Sequence, residues 1–165
     1  MLDLFYAVDG VMLALALAST VCAIALTRRR IRPAWVVPAT GVLASLSAIA
    51  LLSYPDVRDL LQLEVWSIAA VGILAGAARG QSMRLDSDHN WRLVRLRWAY
   101  DWMWVSLAVL LLAILQFGIE IRLRQQNPFE TTVELPMVLA SGYLLGASLV
   151  VWIRSGSIAH ADLHD

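Results

Sequence analysis

The chain has 165 residues, thirteen basic and thirteen acidic, for a formal net charge of zero, and 59% are hydrophobic, against roughly 45–50% apolar in an ordinary soluble domain. With a mean hydropathy of +0.67 the chain reads as a polytopic membrane protein whose spans take up almost all of its 165 residues, so no separate globular domain is expected, and the balanced charge gives no basic field for nucleic acid. A single cysteine, Cys22, excludes an intramolecular disulfide, a thiol pair and a cysteine-rich metal site.

Taken in chain order, the apolar runs read as an all-α, polytopic membrane helix bundle. Five transmembrane helices are expected over about 8–27, 34–54, 60–79, 99–119 and 134–153, each near the ~20 residues that a crossing needs. The start, Met1-Leu2-Asp3-Leu4-Phe5, lacks the positive region of a cleaved signal peptide, so the first run reads as a retained helix. Arg28, Arg29, Arg30 and Arg32 close that run, and Pro33 and Pro55 bracket the second. The third run is the weak one: Val65 to Ala78 is uncharged, about 21 Å of helix. It has to begin near Leu60, take Glu64 into its first turn where the helix dipole favours an acid, and stop at Gly80 after Arg79. The stretch from Tyr54 to Leu63 reads as a short surface helix, and Arg122 to Glu134 as a turn.

Every basic residue is arginine, and their placement sets the orientation. Five spans put Arg28, Arg29, Arg30, Arg32, Arg79, Arg84, Arg92, Arg95, Arg97 and Arg154 on one side, and Arg58, Arg122 and Arg124 on the other. Because cytoplasmic loops are enriched in arginine and lysine, the amino terminus is expected outside and the carboxyl terminus in the cytoplasm. Four spans without the third run would separate the two arginine clusters and abolish the bias. Residues 1–154 then form a single transmembrane bundle and 155–165 a short cytoplasmic tail. Trp35, Trp66, Trp98, Trp102, Trp104 and Trp152 all fall near span ends, where interfacial anchors belong.

Gly72, Gly76 and Gly80 recur every four residues along one side of the third helix, and Gly142 and Gly146 repeat the device in the fifth. Small residues let helix backbones approach where lipid supplies no hydrophobic drive. These faces are helix-packing surfaces, chiefly within the chain; service to a second copy or another membrane subunit stays open.

Charged groups at membrane depth point to function, yet none lies at the centre of a span. The polar candidates are Arg79, Arg97, Asp101, Gln116 and Asp9. Asp101 follows Arg97 by one turn among Trp98, Trp102 and Trp104, and the simplest reading of it is an interfacial ion pair. His160 and His164 are weak metal candidates, four apart at the end of the chain. No histidine lies inside a helix to ligate haem, so no cofactor is expected, and no catalytic constellation appears. From Arg79 to Trp98 the loop is basic and Trp-bearing. Asp88 and Arg92 stand in helical i, i+4 order, with Trp91, Arg92, Arg95 and Trp98 forming an amphipathic turn suited to an anionic leaflet.

The order of features is specific in one respect. An arginine-rich first loop precedes Arg32-Pro33-Ala34-Trp35-Val36-Val37-Pro38, then Gly72-Ile73-Leu74-Ala75-Gly76-Ala77-Ala78-Arg79-Gly80 and Met83-Arg84-Leu85-Asp86. Over roughly residues 26–120 this resembles the small CcdC-like bacterial membrane proteins, with a short strand-like stretch after the glycine-spaced helix. The resemblance implies a four-span bundle and no established activity, the family name coming from an association with cytochrome c biogenesis genes. This chain adds the 122–134 loop, a fifth span and a tail.

The expected function is that of a non-catalytic integral protein of the bacterial inner membrane, a structural or accessory subunit whose partners are the lipid bilayer and a second copy or another membrane subunit. Two alternatives remain: a small transporter or channel with Asp9, Asp101 or Gln116 along a polar path, and an enzyme acting on lipid or quinone through His89 with Asp86 or Asp88.

Overall fold

The computed structural model describes residues 2–27, 32–52, 63–88, 92–97, 99–122 and 130–157, with side chains described from residue 10 and excepting 51–52, 119–122 and 130–132. In order they form α1 (Leu2–Thr27), β1 (Arg32–Pro33), α2 (Val36–Leu52), α3 (Leu63–Ser82), β2 (Arg84–Asp88), β3 (Leu93–Arg97), α4 (Tyr100–Arg122) and α5 (Glu130–Ser155). Four helices are long and apolar enough to cross a membrane: α1, α3, α4 and α5. The short apolar helix is α2, 17 residues or about 26 Å. The weak run at residues 60–79 is thus long enough, and the shortfall falls on the second.

Helix ends follow local chemistry. Pro38 lies in the first turn of α2, where a missing N–H leaves no hydrogen bond unmade. Gly80, expected to stop α3, stays in it: the helix runs on to Ser82. No glycine among the described residues has positive φ, so Gly80 serves through its missing side chain rather than as a cap. In α5 the helix carries Pro136 in its second turn and starts at Glu130, ahead of the expected 134.

The helices close around α5, which packs against α2, α3 and α4, while α1 packs against α2 and α4. The principal seam joins α3 and α5, which run parallel and in register. A Cβ on Gly72 would lie 2.5 Å from the Leu139 carbonyl oxygen, and one on Gly80 would lie 2.8 Å from that of Ala147. Between them, Gly76 meets the Tyr143 carbonyl and Gly146 that of Ile73, both closer still. Gly142 faces Ala69 at 2.9 Å by the same measure. The two glycine ladders therefore lie on each other inside one chain. Gly41 of α2, which belongs to neither ladder, meets α5 in the same way, 2.7 Å from Leu145 Cα.

Hydroxyls tie the remaining helices to one another's backbones. Ser19 donates to the Thr40 carbonyl at 2.8 Å and Ser47 to that of Met12 at 2.9 Å, fixing α1 and α2 antiparallel. Thr20 donates to the Ser106 carbonyl of α4 at 3.1 Å. In a setting without competing water such bonds satisfy both the hydroxyl and a spare carbonyl lone pair, at roughly 0.6 kcal/mol each.

The loop between α3 and α4 departs most from its expected form. In place of an amphipathic helical turn it is a β-hairpin, β2 pairing antiparallel with β3, and β1 adds to the other side of β3. Leu85 pairs with Leu96 and Ser87 with Val94, giving one buried face; alternation with period two puts Arg84, Asp86, Arg95 and Arg97 on the other. Asp88 pairs with Leu93 across the strands, and Arg92 stands at φ 50°, in the left-handed region. A helical Asp88–Arg92 pair cannot form in that geometry. The buried face closes one end of the bundle, where Ser87 Oγ donates to the Ser155 carbonyl at 2.9 Å. At this sheet end α1, α3 and α5 finish and α2 and α4 begin.

Candidate functional site

At the sheet end three helices meet on one carboxylate. Arg79 stands in the last turn of α3 and Asp101 in the first turn of α4, each where its helix dipole favours its sign of charge. Arg79 Nε donates to Asp101 Oδ2 at 2.8 Å and its Nη2 to Oδ1 at 3.4 Å. Tyr143 of α5 donates its hydroxyl to Oδ2 at 2.8 Å. The side chains of Arg79 and Asp101 are 36% and 26% exposed, so the pair sits at the edge of the bundle rather than on an interior path. The fork geometry fixes the carboxylate's orientation as well as its charge, and Asp101 is already engaged on both oxygens.

This corrects the pairing expected from the sequence. Arg97 lies in β3, separated from α4 by Trp98 and Ala99, so no helical turn carries it to Asp101. It pairs with Asp86 instead, Nη2 to Oδ2 at 3.1 Å. Arg79, expected only at the end of the glycine ladder, supplies the missing cation. Trp102 is corrected as well: it is fully buried, and its Nε1 finds no acceptor among the described residues. Trp35, Trp66, Trp104 and Trp152 are exposed, as anchors require.

Of the remaining polar candidates, Gln116 lies apart from this cluster. Gln116 is buried fifteen residues along α4 from Asp101, about 22 Å, towards the opposite end, where Glu134 of α5 is also buried. The Asp9 side chain, His89, His160 and His164 lie outside the described residues, as do the Tyr54 to Gln62 stretch and the middle of the 122–134 loop. Among the described residues no three His, Cys, Asp or Glu side chains gather as a metal site would need.

Two residues of the site belong to no motif in the sequence. Tyr143 is the one tyrosine well inside a predicted span, and a polar tip in an apolar run is the signal that could mark it. Arg154, expected only to report topology, donates from Nη1 to the carbonyls of Gly80, Gln81 and Met83 at 2.6, 2.8 and 3.1 Å. It satisfies the Gly80 and Gln81 carbonyls, which the end of α3 leaves without intrahelical donors, and that of Met83 just beyond the helix. Beside it opens a cleft of about 440 Å³ whose polar lining is Gln81, Ser82, Arg84, Asp86, Arg97 and Arg154.

Fold and site together define a helical bundle, four of its helices long and apolar enough to cross a membrane, closed at one end by an arginine-bearing three-stranded sheet. No protein-family model, curated protein or solved structure matches this chain.

Proposed function

We propose that the chain is a non-catalytic, five-span protein of the bacterial inner membrane, acting as a structural or accessory subunit, with the sheet end in the cytoplasm. One observation carries the reading: the Arg79–Asp101–Tyr143 cluster joins α3, α4 and α5, so this ion pair is committed to holding the bundle. Orientation is supported by the gathering of Arg32, Arg79, Arg84, Arg95, Arg97 and Arg154 at one end, as cytoplasmic surfaces prefer. The resemblance to CcdC-like proteins supports the bacterial membrane setting alone.

Because the glycine ladders are occupied within the chain, a partner subunit or second copy would dock elsewhere. Exposed apolar side chains are offered by α3 and α4, with Trp66, Leu74, Trp104 and Leu111, and also by α1 and α2, with Leu17, Val21 and Ile49. Extraction of the native membrane in mild detergent should yield a species larger than one chain plus its detergent. A monomer that conducts solute in proteoliposomes, and loses that flux on Asp101→Asn, would replace this reading. That second reading, a small transporter or channel, draws on the buried Gln116 and Glu134 at the opposite end, and Glu134→Gln is its sharpest probe.

A further inference from the structure

The arginines of the sheet are arranged in a way that bundle stability does not explain. Arg84 and Arg97 are directly opposed across β2 and β3, and like charges in that position are destabilising. Both are exposed, and the one acid lining the same cleft, Asp86, is engaged by Arg97. Arg154 enters from α5, its guanidinium fixed by the three carbonyls that Nη1 serves, with no protein acceptor for Nε or Nη2 among the described residues. Three arginines against one aspartate leave the cleft with a surplus of two positive charges. Gln81 and Ser82 add polar groups at its edge.

Depth narrows the ligand. The cleft lies where α3 and α5 end. Trp104 and Trp152, exposed near the same end, mark the level at which aromatic side chains sit among lipid headgroups.

We propose that the cleft between the β2–β3 hairpin and the ends of α3 and α5 binds the phosphate of an anionic phospholipid headgroup, held by Arg84, Arg97 and Arg154. A phosphate there offsets the Arg84–Arg97 repulsion and takes the fork-shaped donors that arginine presents to phosphate. Basic pockets between spans on the cytoplasmic side are a recurrent solution for such headgroups. The inference rests on the membrane reading above, and its test separates the two.

The full chain is reconstituted in phosphatidylcholine nanodiscs and titrated with phosphatidylglycerol, lipid retention being read by native mass spectrometry. Stable insertion in phosphatidylcholine alone tests the membrane reading; failure to insert removes that reading, and the lipid site with it. In inserted protein, phosphatidylglycerol should be retained in preference to phosphatidylcholine. Arg84→Gln, which alters an exposed side chain, should weaken that retention about fivefold. Asp86→Asn should strengthen it, because Arg97 is then released to the ligand. Equal retention of the two lipids, or no change in either variant, overturns the site. Inorganic phosphate displacing the lipid at millimolar concentration would make the cleft a free-phosphate site and overturn the lipid assignment.

Discussion

Arg79 and Asp101, twenty-two residues apart in sequence, join the last turn of α3 to the first turn of α4 through an Nε–Oδ2 contact of 2.8 Å. The hairpin that separates them in sequence folds back over the bundle end, so one ion pair closes the whole excursion. Tyr143 adds α5 to the same oxygen.

Asp101→Asn removes the charge and keeps the shape. Given the partial exposure, the loss should be about 1–2 kcal/mol, read as a lowered midpoint of unfolding in mixed micelles. Tyr143→Phe alone should cost roughly 0.6 kcal/mol, and the double variant should cost less than the sum, since both groups act on one carboxylate. Strict additivity would show that the two contacts are independent.

Gly76→Ala should destabilise by about 1–3 kcal/mol, because the added methyl meets the Tyr143 backbone and neither helix can yield alone. Gly118→Ala, with nothing within 4 Å of its Cβ, should stay within roughly 0.5 kcal/mol of the parent. Comparing the two by denaturation in the same detergent isolates the seam from helix propensity.

Arg154→Met keeps the apolar stem and deletes the donors for Gly80, Gln81 and Met83. Hydrogen exchange should accelerate across Gln81 to Asp88 while the middle of α5 keeps its protection. Uniform acceleration throughout the bundle would assign Arg154 to global stability instead.

Val94→Asp puts a charge on the sheet face that closes the bundle, at a side chain 1% exposed. The hairpin should then lift from the helix ends, seen as protease cleavage between β2 and β3, with the helical circular dichroism retained. An uncut hairpin would mean that the strands hold without their buried face.

Much of this architecture is legible from the residues alone. Long uncharged runs dictate helices wherever they occur, and the four-residue glycine spacing marks a face whatever covers it. What covers it is another matter: that Gly76 meets Tyr143 depends on α3 and α5 running parallel, a relation between distant segments that periodicity does not encode. The first strand falls where the resemblance implied a strand-like stretch, but the hairpin as a whole hides behind a helical pattern, because Asp88 and Arg92 fit i, i+4 spacing while the competing alternation of Leu85, Ser87, Val94 and Leu96 is short and carries a serine. Proximity in sequence offers Arg97 to Asp101, and the strand that holds Arg97 removes that proximity. Arg79 stands out at the end of its glycine ladder and its partner does not, since an ion pair across a folded loop leaves no local spacing to read.

The parallel seam also bears on how the chain is made. A segment joining two parallel neighbours must travel the full length of the bundle, and here α4 makes that journey. The ribosome therefore delivers α3, the least apolar of the four long helices, well before α5 arrives to lie against it. In the interval its glycine stripe lacks the helix it packs against in the finished bundle. A nascent chain halted ahead of residue 130 would leave α3 without the α5 backbone that Gly72, Gly76 and Gly80 meet, so the seam forms only once the later helix is made.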